Sequence, residues 1–153
     1  MFEANLYADA SNGGNEAGLG VVIDIITNMK KNKPIIEHYG IWGKYNGRCK
    51  RSDQAEANSV LYAMELAEME GLTRGKITIY NDLMPPCLKK NDHFWHLIQK
   101  FDKEPTLFQC DEKSYYKNKE HIRSRFEIAD MVSRDCHDEK RDYQKRANPS
   151  YVA

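Results

Sequence analysis

Residues 4–27 read ANLYADASNGGNEAGLGVVIDIIT, and this stretch decides the fold. Residues 4–10 (ANLYADA) predict a strand, stopped by the turn residues Ser11-Asn12-Gly13-Gly14. Residues 18–27 (GLGVVIDIIT) are rich in β-branched side chains and predict a second strand. Outward from this pair, residues 29–34 are polar and read as a hairpin loop, and residues 35–42 (IIEHYGIW) predict a third strand. Three strands joined by short turns make an antiparallel meander.

Past Asp53 the period changes. Ala57, Val60, Leu61, Met64 and Ala67 recur at the spacing of one helix face, with Asp53 suited to the N-cap and Gly71 to the stop. Residues 76–81 (KITIYN) predict a fourth strand, residues 92–101 a short helix, and residues 106–110 (TLFQC) a fifth strand. Ile122, Phe126, Ala129, Val132 and Cys136 form a second helical stripe. The order β-β-β-α-β-α-β-α predicts an α/β fold, a mixed five-stranded sheet flanked by helices, with parallel pairing in its second half. Residues 1–137 are expected to form the domain and residues 138–153 a polar C-terminal tail.

The 153 residues fit one domain. With 23 Lys+Arg against 23 Asp+Glu, the chain is not uniformly basic, so any nucleic-acid contact must use local patches. The cysteines, Cys49, Cys87, Cys110 and Cys136, contain no CxxC pair, which excludes a zinc ribbon or a small disulfide scaffold. Free thiols and the absence of a signal-peptide pattern in MFEANLYADA lead to an expected cytoplasmic location. The most apolar run, residues 18–26, is interrupted by Asp24 and is too short to span a bilayer, so no membrane association is expected.

Four carboxylates sit where local rules would not put them. Asp9 lies in a strand, where Asp is disfavoured. Asp82 stands at the carboxyl end of the fourth strand, the edge where open α/β sheets bind ligands. Glu56 lies in the first turn of the long helix. Asp130 is mid-helix, about 40° around from Phe126. Each has an ordinary explanation. Asp9 could bond the following turn, Glu56 could complete a capping box with Asp53, Asp82 could cap a turn before Pro85, and Asp130 could be a solvated edge residue. Together they carry more information. The strand-and-helix order can bring all four to one place, where they would repel unless cations lie between them. That pattern suits a magnesium site for phosphoryl chemistry.

These segments resemble the ribonuclease H family, type 1. Asp9-Ala10-Ser11 before Gly13-Gly14 resembles its opening motif, Ser52-Asp53-Gln54-Ala55-Glu56 its second, Ile79-Tyr80-Asn81-Asp82 its third, and His121 with Ile128-Ala129-Asp130 its fourth. The resemblance runs from about residue 4 to 136. It implies a ribonuclease H-like fold and a two-metal endonuclease that cuts the RNA strand of an RNA–DNA hybrid with Mg²⁺, or Mn²⁺ as a substitute. It implies Asp9, Glu56, Asp82 and Asp130 as metal-binding carboxylates and His121 as the catalytic histidine. It also implies hybrid contacts at Ser11, Asn12, Gly13 and Asp53. Leu83 stands where the family usually has Ser, Phe126 where it usually has Asn, and the segment around His121 lacks the usual glycine.

Two local patches suit a phosphate backbone. Residues 44–51 carry Lys44, Arg48, Lys50 and Arg51 with no acid; residues 113–125 carry Lys113, Lys117, Lys119, Arg123 and Arg125 against Glu120, with Tyr115 and Tyr116 among them. Of these, Lys117, Lys119 and Arg123 are the expected contacts; solvated loops are the plain alternative. Two other functions fit the same fold, a non-catalytic nucleic-acid-binding module and another nuclease. A 3′–5′ exonuclease typically opens Asp-x-Glu, where this chain has Ser11. No obligate protein partner is evident.

Overall fold

Strand β1, Glu3–Gly13, does not stop at the expected turn but runs through Asp9, Ser11 and Asn12. A computed structural model of the chain describes residues 2–28, 34–110 and 119–147. The turn that ends β1 is Gly14-Asn15, both at positive φ, as a two-residue type I′ hairpin requires. Strand β2, Glu16–Asn28, returns antiparallel, and β3, Pro34–Asn46, pairs antiparallel with β2. Helix α1 spans Ser52–Met69, β4 Lys76–Asn81, α2 Asp92–Ile98, β5 Thr106–Gln109 and α3 Glu120–Glu139. A 3-10 turn, Pro86–Lys90, precedes α2.

Among the described residues the sheet has six strands, in the order β5-β4-β1-β2-β3-β6. The first five are those expected, and β1–β4 and β4–β5 pair in parallel. The sixth, β6 (Tyr143–Arg146), lies in the stretch expected to be tail, where it pairs antiparallel with Gly40–Gly43 of β3. All four of its side chains are exposed, so it carries no hydrophobic alternation to betray it. The β3 edge and a left-handed turn at Lys140 (φ 55°) define it instead.

The central strand β1 is covered on both faces. Ala4, Leu6 and Ala8 pack with Val60, Ala63, Met64 and Ala67 of α1 in the larger core. Tyr7 and Val22 pack with Ile122, Phe126 and Ala129 of α3 in a second one. Helix α3 lies unusually close to the sheet. A Cβ at Gly18 or Gly20 would collide with the backbone oxygens of Ser133 and Ala129, so only glycine permits this approach. Because Gly20 is the register partner of Asp9, the same contact brings Asp130, next to Ala129, towards Asp9. Among the described residues, no helix is long and apolar enough to cross a membrane.

Candidate active site

The parallel pairing of β1 with β4 ends at Tyr7↔Tyr80. Two residues further, Asp9 still lies within β1 while Asp82 follows the last residue of β4, with a gap between them. Glu56, from the first turn of α1, fills it. Carboxylate oxygens of Asp9, Glu56 and Asp82 all lie within 4.8 Å of one another. Asp9 and Glu56 are buried, and Asp82 is exposed.

Backbone and amide donors fix the cluster. The Ala10 N–H lies 2.9 Å from Asp9 Oδ1 and 3.0 Å from Glu56 Oε1. The amide of Asn81, fully buried, donates to Glu56 Oε2 at 2.8 Å and to the Ala8 carbonyl at 3.0 Å. Asn81 Oδ1 in turn accepts from Leu83 N (3.0 Å) and Met84 N (2.6 Å), which shapes the turn that carries Asp82. Asn81 thus ties Glu56 to the turn that carries Asp82. The sequence signal was a polar amide closing a half-apolar strand, beside the acid that drew attention.

Of the ordinary explanations for these acids, two fail. Among the described residues no side chain caps α1, whose N-cap is Arg51; Asp53 accepts from the adjacent Gln54 N instead, and Glu56 turns to the cluster. Asp82 does not cap the following 3-10 turn, whose N-cap is Pro85.

The cluster is electrostatically unsatisfied. Burial pushes the Glu56 carboxyl up to about 10, aided by a shared hydrogen bond with Asp82 and by the Asp9 charge. Burial raises Asp9 to about 7, with Asp82 and then Asp130 contributing repulsion. The metal-free cluster therefore holds a proton at neutral pH. Three oxygen-donor ligands with uncompensated charge fit a hard divalent cation such as Mg²⁺ or Mn²⁺. Asp130 lies close enough to act on Asp9 but stands outside the three-carboxylate group, paired with Arg134 one turn on.

His121 is not brought to these acids. It sits in the first turn of α3, with Nε2 2.8 Å from Asp24 Oδ2. Asp24 is fully buried on β2; it also receives Arg125 Nε on both oxygens (3.0 and 2.8 Å) and has His38 Nδ1 at 3.5 Å. Asp24 is the partner of Asn5, four residues before Asp9 on β1, or about 13 Å away. Helix α3 starts at Glu120, so the histidine is fixed in a helix rather than carried on a loop. Phe126 fills the second core against Tyr7, ring centroids 5.8 Å apart.

The expected nucleic-acid contacts scatter. Ser11, Asn12 and Gly13 continue β1 beyond Asp9, with Asn12 exposed. Asp53 is half-buried and pairs with Arg51 at 3.2 Å. Arg48 and Lys50 are exposed on the loop before α1, which is tied to the β1–β2 turn by Cys49 N–H to the Asn15 carbonyl (2.9 Å). Lys44 lies on β3 and covers the Tyr62 ring, 5.7 Å from its centroid. Lys119 and Arg123 are exposed at the start of α3, about 16 and 10 Å along the helix from Asp130. Arg125 is spent on Asp24. Lys117, with Lys113, Tyr115 and Tyr116, lies outside the described residues.

No protein-family model matches the sequence, and no curated protein sequence does. Solved structures do. Ribonuclease H1 of the halophilic archaeon Halobacterium salinarum is 18% identical with a TM-score of 0.55, over 90% of this chain and 98% of that one. The chain has the ribonuclease H fold. The N-terminal ribonuclease H domain of a Mycobacterium tuberculosis protein matches with a TM-score of 0.60 at 16% identity, over 91% of this chain and 96% of that one. LC11 ribonuclease H1, solved in complex with an RNA/DNA hybrid, is 18% identical with a TM-score of 0.55, covering 90% of this chain and 98% of that one. At these identities the ribonuclease H fold is the shared property.

Proposed function

We propose that this protein is a divalent-metal-dependent endonuclease of the ribonuclease H type that hydrolyses the RNA strand of RNA–DNA hybrids, using two metal ions. The observation that carries the reading is the three-carboxylate group of Asp9, Glu56 and Asp82, two of them buried, with no cation paired to it among the described residues, where the pairing of β1 and β4 ends. The shared fold, and a hybrid bound to one solved structure of that fold, support the choice of substrate.

In this reading Asp9, Glu56 and Asp82 hold the cations, and Asp130 joins them. Bound Mg²⁺ or Mn²⁺ would supply activation of an attacking water and neutralisation of charge developing on the scissile phosphate. The rest is done by the chain. The Ala10 N–H orients Asp9 and Glu56 together, and Asn81 fixes the second Glu56 oxygen. Ser11 and Asn12 follow Asp9 on the same strand and would meet the hybrid backbone. Arg48 and Lys50 supply positive charge near the hairpin, and Lys119 and Arg123 supply it farther out; Lys117 is kept as an expected contact from the sequence alone. His121 is assigned to holding α3 rather than to proton transfer, because its Nε2 is engaged by Asp24.

The test is cleavage of an end-labelled RNA–DNA hybrid in Mg²⁺ or Mn²⁺, with duplex DNA, duplex RNA and a chelator as controls. Internal cuts confined to the RNA strand of the hybrid, lost with chelator and in Asp82→Asn, are expected. Hybrid binding without any cleavage would move the assignment to the non-catalytic module. Digestion from a 3′ end would move it to an exonuclease.

A further inference from the structure

Asp130 has two claims on it. Its carboxylate lies close enough to Asp9 to raise that group's pKa, yet it takes no part in the three-carboxylate group. It is paired instead with the guanidinium of Arg134, one helical turn towards the C-terminus. Both side chains reach solvent: Asp130 is 36% exposed and Arg134 64%. Ala129, next to Asp130, is seated on Gly20, the register partner of Asp9, so this ion pair lies on the side of the helix contact nearest the acids. The backbone beneath is closely seated, Ala129 and Ser133 lying against Gly20 and Gly18. Rotation of its own side chain is the direct way for Asp130 to change partner.

We infer that Arg134 is a built-in competitor for the metal. Its guanidinium holds the Asp130 carboxylate in the metal-free protein, and a divalent cation gains Asp130 by exchange for that ion pair, so Arg134 sets the affinity of the site. The inference rests on the metal-site reading above. Its physical basis is simple competition: a carboxylate held by an arginine must give up that pairing before it can ligate a cation. An exposed ion pair is a weak competitor, and that weakness suits a site that must load and unload. Ion pairs of this kind correspond to roughly a twofold to fivefold effect on an equilibrium. Arg134 is therefore a positioning residue, acting through Asp130.

The experiment is calorimetric titration with Mn²⁺ alone, on the full chain, with no nucleic acid present. The variants are R134Q, R134M, D130N and the double variant D130N/R134Q. R134Q and R134M are expected to bind Mn²⁺ roughly twofold to fivefold more tightly than wild type. In the D130N background the same R134Q change is expected to lose that gain, because the competed carboxylate has gone. Unchanged or weaker binding in both Arg134 variants overturns the inference, as does a gain that persists in full without Asp130. Wild-type protein that binds no Mn²⁺ overturns the metal-site reading and this inference with it. Wild-type binding with no response to Arg134 overturns the inference alone. Thermal melts of the metal-free variants identify any that fail to fold, and two uncharged replacements of different shape keep the comparison available.

Discussion

Two buried acids stand on adjacent strands of this sheet and meet opposite surroundings. Asp24 on β2 has Arg125, His121 and His38 around it, drawn from α3 and β3. Asp9 on β1 has Glu56, Asp82 and Asp130 for neighbours, and its strongest local compensation is a backbone N–H. The same residue type at a similar depth therefore performs two tasks. Around Asp24 the chain supplies a guanidinium and two imidazoles, and the result is a tie between β2 and the first turns of α3. Around Asp9 the described residues supply further anions, and the charge is left for something else to neutralise. Buried charge must be paired or it destabilises the fold, so the unpaired cluster is the one that points to a ligand. His121 follows from the same contrast: it belongs to the satisfied acid.

The largest expected effect is on the satisfied side. Asp24→Asn strands the partly buried Arg125, and the loss of one partner from a buried pair costs about 3–5 kcal/mol. Urea unfolding should show it directly, and a loss under 1 kcal/mol would break the contrast by making Asp24 dispensable.

Asp9→Asn should behave in the opposite way. Metal-dependent hybrid cleavage should fall by at least about 100-fold, beyond the range seen for residues that merely support metal ligands. The metal-free protein should meanwhile gain stability on the order of 1–3 kcal/mol, because a repelled buried carboxylate has been neutralised. A variant that is both inactive and less stable would make Asp9 a structural acid like Asp24.

The pH dependence sharpens the same point. Asp9 at about 7 and Glu56 at about 10 titrate above the unfolded values of 3.8 and 4.5. Between those limits the folded chain holds protons that the unfolded chain has released, so metal-free stability falls as pH rises from about 4 through 7 for Asp9, and on towards 10 for Glu56. Melts in chelator should drop by roughly 2–10 °C between pH 5 and 8. Saturating Mg²⁺ should remove most of that slope, because the cation takes the place of the protons. An equal slope with and without Mg²⁺ would show that no cation enters the cluster.

The smallest effect is at His121. His121→Ala removes one of several partners of Asp24 and should cost about 1 kcal/mol. The rate of cleavage at saturating hybrid should stay within about threefold of wild type. A loss near 100-fold with stability unchanged would return His121 to the chemistry.

Much of this was readable from residue order. The period-2 and period-3.6 segments gave the first five strands and the two long helices, because hydrophobic periodicity reports directly on which face of an element is buried. Asp9, Asp82 and Glu56 stood out because each broke a local rule, and the structure gathers all three. The sixth strand was invisible, because an exposed edge strand such as Tyr143–Arg146 is set by the hydrogen-bonding edge beside it and not by its own pattern. Asp24 was visible only as an interruption of an apolar run. Its partners lie 14, 97 and 101 residues away in the chain, and no spacing rule connects them.

Sequence by itself determined the alternation of elements and the presence of acids at positions where neither strand nor helix favours them. Those are local properties, fixed by side-chain chemistry and the repeat of the backbone. Which acids would be paired and which left bare was decided only in three dimensions. The close seating of α3 on Gly18 and Gly20 carries Arg125 and His121 to one end of the sheet and Asp130 towards the other. Electrostatic satisfaction depends on distances between residues remote in sequence, because Coulomb interaction falls with separation in space and takes no account of separation along the chain.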